Sequence, residues 1–222
     1  MPPSVLIVAS TRAYADSQEI LRIQDTAAAL LECGNVVDVL VPRMSPLLTS
    51  VLNPAVRVFT VPRLVPFMGN PPRRPSVRRF LVGALMLFRG VALLSRRNYT
   101  TLHGINDGAL VARAISAGAT AGRIPFIAEI HRPFSRPGLP KGPRAAFARF
   151  CERRALRRAA AIVLPDEQTL DLFGRHIPRA RVSIIPDPHV ELVPTAFTFA
   201  EFATALQHVY AYALHPKGKC ER

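Results

Sequence analysis

Short aliphatic runs alternate along this chain with longer stretches of helical periodicity. Residues 5–9 (VLIVA) and 36–41 (VVDVLV) are the first two runs. An unbroken apolar run of this length predicts a strand buried on both faces. Between them, Ile20, Ile23, Ala27, Leu30 and Leu31 recur at helical spacing within residues 18–33, and Gly34 stands where a C-terminal cap belongs. Residues 56–61 form a third expected strand, bounded by Pro54 and Pro62, which forbid its extension within a central ladder.

Four further runs each break off into a polar cluster. Residues 99–102 lead into His103, Asn106 and Asp107; residues 126–128 into Glu129 and His131; residues 161–164 into Asp166 and Glu167; residues 182–185 into Asp187 and His189. Helix-like segments over 108–121, 144–158 and 166–175 punctuate these runs, which is the order of a parallel sheet with crossover helices. The polar clusters then fall at the carboxyl ends of the strands, the edge along which such sheets bind ligands. Two more helices are expected, over 77–97 and 198–214, the second opened by Thr198 with Glu201 three residues on. Asp166 has the character of a cap for its helix. The prolines at 66, 71, 72 and 75 make residues 63–76 a loop, and residues 133–143, beside Arg132 and with Arg136 and Lys141, have the make-up of a lid or binding loop.

Charge changes the picture more than composition does. The chain of 222 residues carries a formal charge of +14, and only Lys141, Lys217 and Lys219 are lysines. A guanidinium excess favours an anionic partner, although coding bias also enriches arginine. From Val39 through Asn106 there is no acidic residue, while arginines stand at 43, 57, 63, 73, 74, 78, 79, 89, 96 and 97. Arg78, Arg89 and Arg96 share one stripe of the helix over 77–97. Arg73, Arg74, Arg78, Arg79, Arg89, Arg96 and Arg97 are therefore the candidate contacts to anionic lipid, against the plainer alternative of a packing helix with solvated arginines. Nucleic acid is not expected as a partner, because aromatics make up 7% of the chain, there is no Trp, and no strand interleaves basic with aromatic residues. The three cysteines lack zinc or disulfide spacing and no secretory signal is visible, so a cytoplasmic protein, or one peripheral on the inner membrane's cytoplasmic face, is expected. No metal site and no P-loop, GxSxG, HExxH or GxGxxG motif is present.

Five phrases, in order, resemble the amino-terminal domain of family 4 retaining glycosyltransferases, which have the two-lobed GT-B architecture. They are ALLECGNVVDVLVP, YTTLHGINDGALVARAI, RIPFIAEIHRPF, CERRALRRAAAIVLPDEQTLDLF and ARVSIIPDPHVEL. The resemblance implies an α/β fold: a single Rossmann-like domain over residues 1–192, with a parallel sheet of about seven strands and helices on both faces. Residues 193–222 would form a C-terminal crossing helix and tail packing back on it. Two departures matter. The loop 10–17 has no glycine where the family has paired glycines, and residues 197–214 look like the helix that crosses back after a donor lobe, with no such lobe in between.

The resemblance further implies that Glu129 and His131 are the catalytic candidates, His131 matching the position that contacts the transferred sugar. A histidine hydrogen-bonded at a strand end is the alternative. His103, Asn106, Asp107 and Asp187 would line the acceptor side, though Asp107 also suits a helix cap. Arg12 would meet a phosphate, or else be a solvated arginine. In the implied retaining reaction the donor phosphate helps take the acceptor proton while the protein orients the sugar. No cofactor is expected on the chain alone. A nucleotide sugar would be the substrate if a second glycosyltransferase chain supplied the donor lobe, with a lipid-linked or envelope glycan as acceptor. The competing expectation is a non-catalytic, membrane-surface scaffold on the same fold.

Overall fold

A computed structural model describes residues 2–9, 17–42, 52–61, 77–118, 124–135, 142–186 and 197–215, without the side chains of residues 17, 77–80 and 175. Seven strands form one parallel sheet in the order β3-β2-β1-β4-β5-β6-β7. They are β1 (Ser4–Val8), β2 (Val36–Val41), β3 (Arg57–Thr60), β4 (Thr101–Ile105), β5 (Phe126–Glu129), β6 (Ala161–Leu164) and β7 (Val182–Ile184). The proline-bounded third strand lies at the edge, as its prolines require. The helices are α1 (Ser17–Glu32), α2 (Val77–Leu94), α3 (Gly108–Gly118), α4 (Pro143–Leu156), α5 (Glu167–Phe173) and α6 (Phe199–Leu214).

Chain order explains which face each helix covers. A right-handed crossover from β1 outward to β2 puts α1 on one face, and the return to β4 and onward puts α2, α3, α4 and α5 on the other. The first face would be bare over β4 to β6. Helix α6 fills that gap: Phe202, Leu206, Val209, Tyr210 and Ala213 pack with Ile105, Ile127, Val163 and Ile185, and the helix lies against α1. Thr198 and Glu201 form the expected capping box, with the Thr198 amide donating to the Glu201 carboxylate at 2.8 Å. Asp166 caps α5 by accepting from the Thr169 amide at 2.6 Å. Gly34, at φ +74, ends α1 in the left-handed region that disfavours other residues.

Several expectations are corrected in detail. Helix α2 ends at Leu94 rather than Arg97, because Asp38, buried in β2, recruits the residues that follow. Tyr99 donates to the Asp38 carboxylate at 2.5 Å, the Arg97 guanidinium sits 3.4 Å from it and Arg57 donates at 2.7 Å. Burial, then the bond to Asp38, pushes the Tyr99 hydroxyl well above its ordinary value. Arg97 is thus drawn into an ion pair with Asp38, with its side chain 32% exposed. On α4, Phe147 and Phe150 face outward, and the buried side is Ala148, Glu152, Ala155 and Leu156.

The candidate active site at the carboxyl edge

A buried charge organises the edge of the sheet where β4 and β5 end. Glu129 closes β5 with no exposed surface, and three groups converge on it. Arg22 of α1 donates its Nε to Oε1. His131 places Nε2 at 2.6 Å from the same oxygen, and His103 places Nε2 at 2.7 Å from Oε2. Burial would push the Glu129 carboxyl up, but the Arg22 guanidinium, followed by the bonds from His103 and His131, outweighs it and holds the group well below the usual carboxylate range.

An ionised carboxylate only accepts, so both histidines carry their hydrogen on Nε2. His103 then accepts at Nδ1 from the Tyr210 hydroxyl of α6, 2.7 Å away. Burial, then the Glu129 charge, drives the Tyr210 hydroxyl well above its ordinary value, so it remains a donor. Arg22 stacks 4.3 Å from the Phe202 ring of α6 and reaches the Pro186 carbonyl at 3.3 Å. Its Nη2 has no hydrogen-bond partner among the described residues. The outcome is a relay from the last helix through His103 and Glu129 to His131. Only His131, with a side chain 16% exposed, reaches the surface, and its Nδ1 has no partner among the described residues.

The backbone around His131 is clamped from both sides. Asn106 accepts at Oδ1 from the His131 amide at 2.9 Å and the Arg132 amide at 3.1 Å. To do so it adopts φ +51, a left-handed conformation that asparagine tolerates better than most residues. Glu152 of α4 accepts from the Phe134 amide at 3.1 Å across a small cavity that Asn106, Ile130 and Leu156 also line. Burial pushes the Glu152 carboxyl up to about 7, and the Phe134 amide and Arg153 only partly offset it.

A carboxyl raised in the folded state keeps its proton there after the unfolded chain has lost its own. Stability therefore falls as pH rises between the ordinary value near 4.5 and about 7. Glu152→Gln keeps an acceptor for Phe134. We expect it to be more stable than the parent at pH 8 by about 3 kcal/mol and equal to it at pH 4. Urea denaturation at the two pH values measures this, and equal gains at both would show that burial of the charge is not the cause.

The sequence candidates divide accordingly. Glu129, His131, His103 and Asn106 are brought together, but His103 lies inside β4 with no exposure and both ring nitrogens engaged, so it supports the edge rather than lining it. Glu129 likewise has no surface to offer, and its hydrogen-bond partner His131 is the group that reaches the surface. Asp107 opens α3, its carbonyl accepting from the Leu110 amide. Arg12, Arg73, Arg74 and Asp187 lie outside the described residues, as do the side chains of Arg78 and Arg79. So do most of the expected lid and the glycine-free loop. Arg96 is exposed on the chain just past α2, and Arg89, half-buried, leaves Nε without a partner among the described residues. Arg22 and Tyr210 were not foreseen. The available signal was electrostatic: a carboxylate at the end of the apolar run FIA requires a buried cation, and Arg22 interrupts the apolar face of α1. Among the described residues no cluster of side chains could hold a metal ion.

A seven-stranded parallel sheet whose strand order reverses between β1 and β4 is shared by many proteins, and comparison narrows the choice. The glycosyl transferase 4-like domain matches residues 21–188. The chain belongs to that family. Sucrose-phosphate synthase from Thermosynechococcus elongatus aligns with 84% of this glycosyl transferase 4-like chain and 48% of its own, at 14% identity and a TM-score of 0.60. A second structure, of two separate segments of that synthase, aligns over 96% of this chain and 97% of its own, at 14% identity and a TM-score of 0.59. MurG from Acinetobacter baumannii aligns over 87% of this chain and 48% of its own, at 12% identity and a TM-score of 0.51. At these identities the likeness is one of fold, that of the Rossmann-like domain in GT-B glycosyltransferases. The chain spans about half the length of the full synthase and of MurG. No curated protein sequence matches it. No helix among the described residues is long and apolar enough to cross a membrane.

Proposed function

We propose that this chain is the acceptor-binding half of a retaining sugar transferase, with the nucleotide-sugar lobe supplied by another glycosyltransferase chain and a lipid-linked or envelope glycan as acceptor. The observation that carries this reading is the join between β7 and α6. Only residues 185–198 of the sequence separate the last strand from a helix that packs back across the sheet onto α1. The close match in length to a structure of two segments of sucrose-phosphate synthase supports the idea that a donor lobe has been removed from between these elements.

The edge chemistry suits the acceptor role. His131 is fixed by Glu129 through Nε2 and by Asn106 through its amide, which leaves Nδ1 as a preset acceptor for a sugar hydroxyl. Positioning by such a group costs no rearrangement at the moment of transfer. Glu129, Arg22, His103 and Tyr210 hold it in place and do not touch substrate.

Calorimetric titration with a panel of nucleotide sugars, with and without candidate partner glycosyltransferases, tests the proposal. We expect no binding by the chain alone, and turnover with a partner that falls at least 100-fold in His131→Ala, in the range of a lost positioning contact. Turnover by the chain alone would overturn the shared-lobe reading. Absence of binding and turnover in every combination would overturn the transferase reading itself.

A further inference from the structure

Two large aromatic side chains of α4 are more than half exposed, Phe147 at 53% and Phe150 at 58%. At 100° per residue Phe147, Phe150, Arg154 and Arg158 fall within an arc of about 80°, opposite the side that buries Ala148, Glu152 and Ala155. The stripe runs about 16 Å along the helix and its continuation. Beside its basic end stands Arg113 of α3. Helices α3 and α4 pack against each other, which brings the three cations to one surface, and burial, then the charges of Arg154 and Arg158, pulls the Arg113 guanidinium below its ordinary value. None of the three forms an ion pair among the described residues, and Arg113 Nε is buried without a partner. The nearest acid on the helix, Glu152, points to the opposite side and is occupied by the Phe134 amide.

Crowding three guanidiniums beside exposed aromatic rings is unfavourable in water on both counts. Like charges raise one another's energy, and exposed rings forgo the gain of burial. An anionic bilayer surface relieves both: its phosphates neutralise the arginines while the rings enter the boundary between headgroups and acyl chains. A soluble phosphate would answer only the charge, and an apolar protein groove only the rings.

We propose that the outer stripe of α4, with Arg113, is a docking surface for an anionic lipid bilayer. The surface lies on the sheet face opposite α1 and α6, away from the buried Glu129 cluster, and it stands whether or not the chain transfers sugar. It also differs from the arginines of the α2 region, of which Arg97 is already committed to Asp38.

Flotation of the full chain with vesicles of phosphatidylcholine, alone or with 30% phosphatidylglycerol, across a salt series tests the proposal. Binding is expected only with the anionic lipid. Arg154→Gln with Arg158→Gln should weaken it roughly 20-fold, about five-fold per cation. Phe150→Ser should weaken it several-fold, and this loss should persist at high salt where the charge contribution is screened. Arg96→Gln, an exposed arginine just beyond α2, serves as a control of the other surface and should cost less than five-fold. Circular dichroism confirms that each variant is folded. The proposal is overturned if vesicles are not bound, if Arg96→Gln matters more than the α4 pair, if millimolar inorganic phosphate abolishes binding, or if a single-stranded oligonucleotide binds more tightly than the vesicles with Phe150→Ser without effect.

Discussion

Replacing Glu129 with alanine is expected to destabilise the chain by about 3–5 kcal/mol, because the Arg22 guanidinium is then left buried without its counter-charge. Arg22 belongs to α1, is only 1% exposed and lies under the Phe202 ring of α6. Arg22→Met combined with Glu129→Leu should recover part of the loss, since removing both charges also removes their desolvation cost. The pH dependence carries its own signature. The Glu129 carboxyl is depressed in the folded state, so its contribution is complete above the ordinary glutamate value of 4.5 and drains away as pH falls through the folded value. Glu129→Ala should flatten that acid limb. Urea denaturation between pH 2 and pH 7 provides the test, and a loss under 1 kcal/mol at pH 7 would mean that Arg22 is solvated in solution.

The second large effect is steric. Gly108 opens α3 at the switch point, where the helix start presses on the end of β1. A β-carbon at that position would stand 2.0 Å from the Val8 carbonyl oxygen and 2.8 Å from the Val8 carbonyl carbon. Neither neighbour is a flexible side chain. Gly104 in β4 is equally confined, with a β-carbon meeting the Ala109 Cα at 2.4 Å. Gly108→Ala is therefore expected to cost about 3 kcal/mol, the upper end of overpacking penalties. That corresponds to a fall in melting temperature of roughly 6–12 °C for a domain of this size. Gly83→Ala, on α2 with nothing within 4 Å, should be neutral or raise stability by up to ~1 kcal/mol. Thermal unfolding of the pair makes the comparison, and equal melting temperatures would show that the α3 start can lift from β1 at little cost.

Much of this architecture was legible in the residue pattern. The continuous apolar runs located the strands, and Thr198 with Glu201 and Asp166 with Thr169 marked two helix starts that the structure places where expected. Boundaries were less legible where a buried charge intervened. Asp38 draws Arg97 and Tyr99 inward, so the helix ahead of them stops at Leu94, and periodicity contains no information about such a tether. The site shows the same limit. Glu129, His131, His103 and Asn106 could be found because strand ends are short in sequence. Arg22 and Tyr210 lie 107 residues from their partners Glu129 and His103. Only three-dimensional packing of α1 and α6 on one face brings them together. On α4, periodicity alone does not say which side faces the sheet. Glu152, held by Phe134, takes the inner side and turns the rings outward.

The position of α6 in chain order has a consequence for biosynthesis. Until Phe202 and Tyr210 have left the ribosome, β4 to β6 present an uncovered hydrocarbon surface with a carboxylate and a guanidinium set into it. Completion of the domain is thereby deferred until α6 has been synthesised, and a nascent chain stalled after β7 would be a natural client for a chaperone.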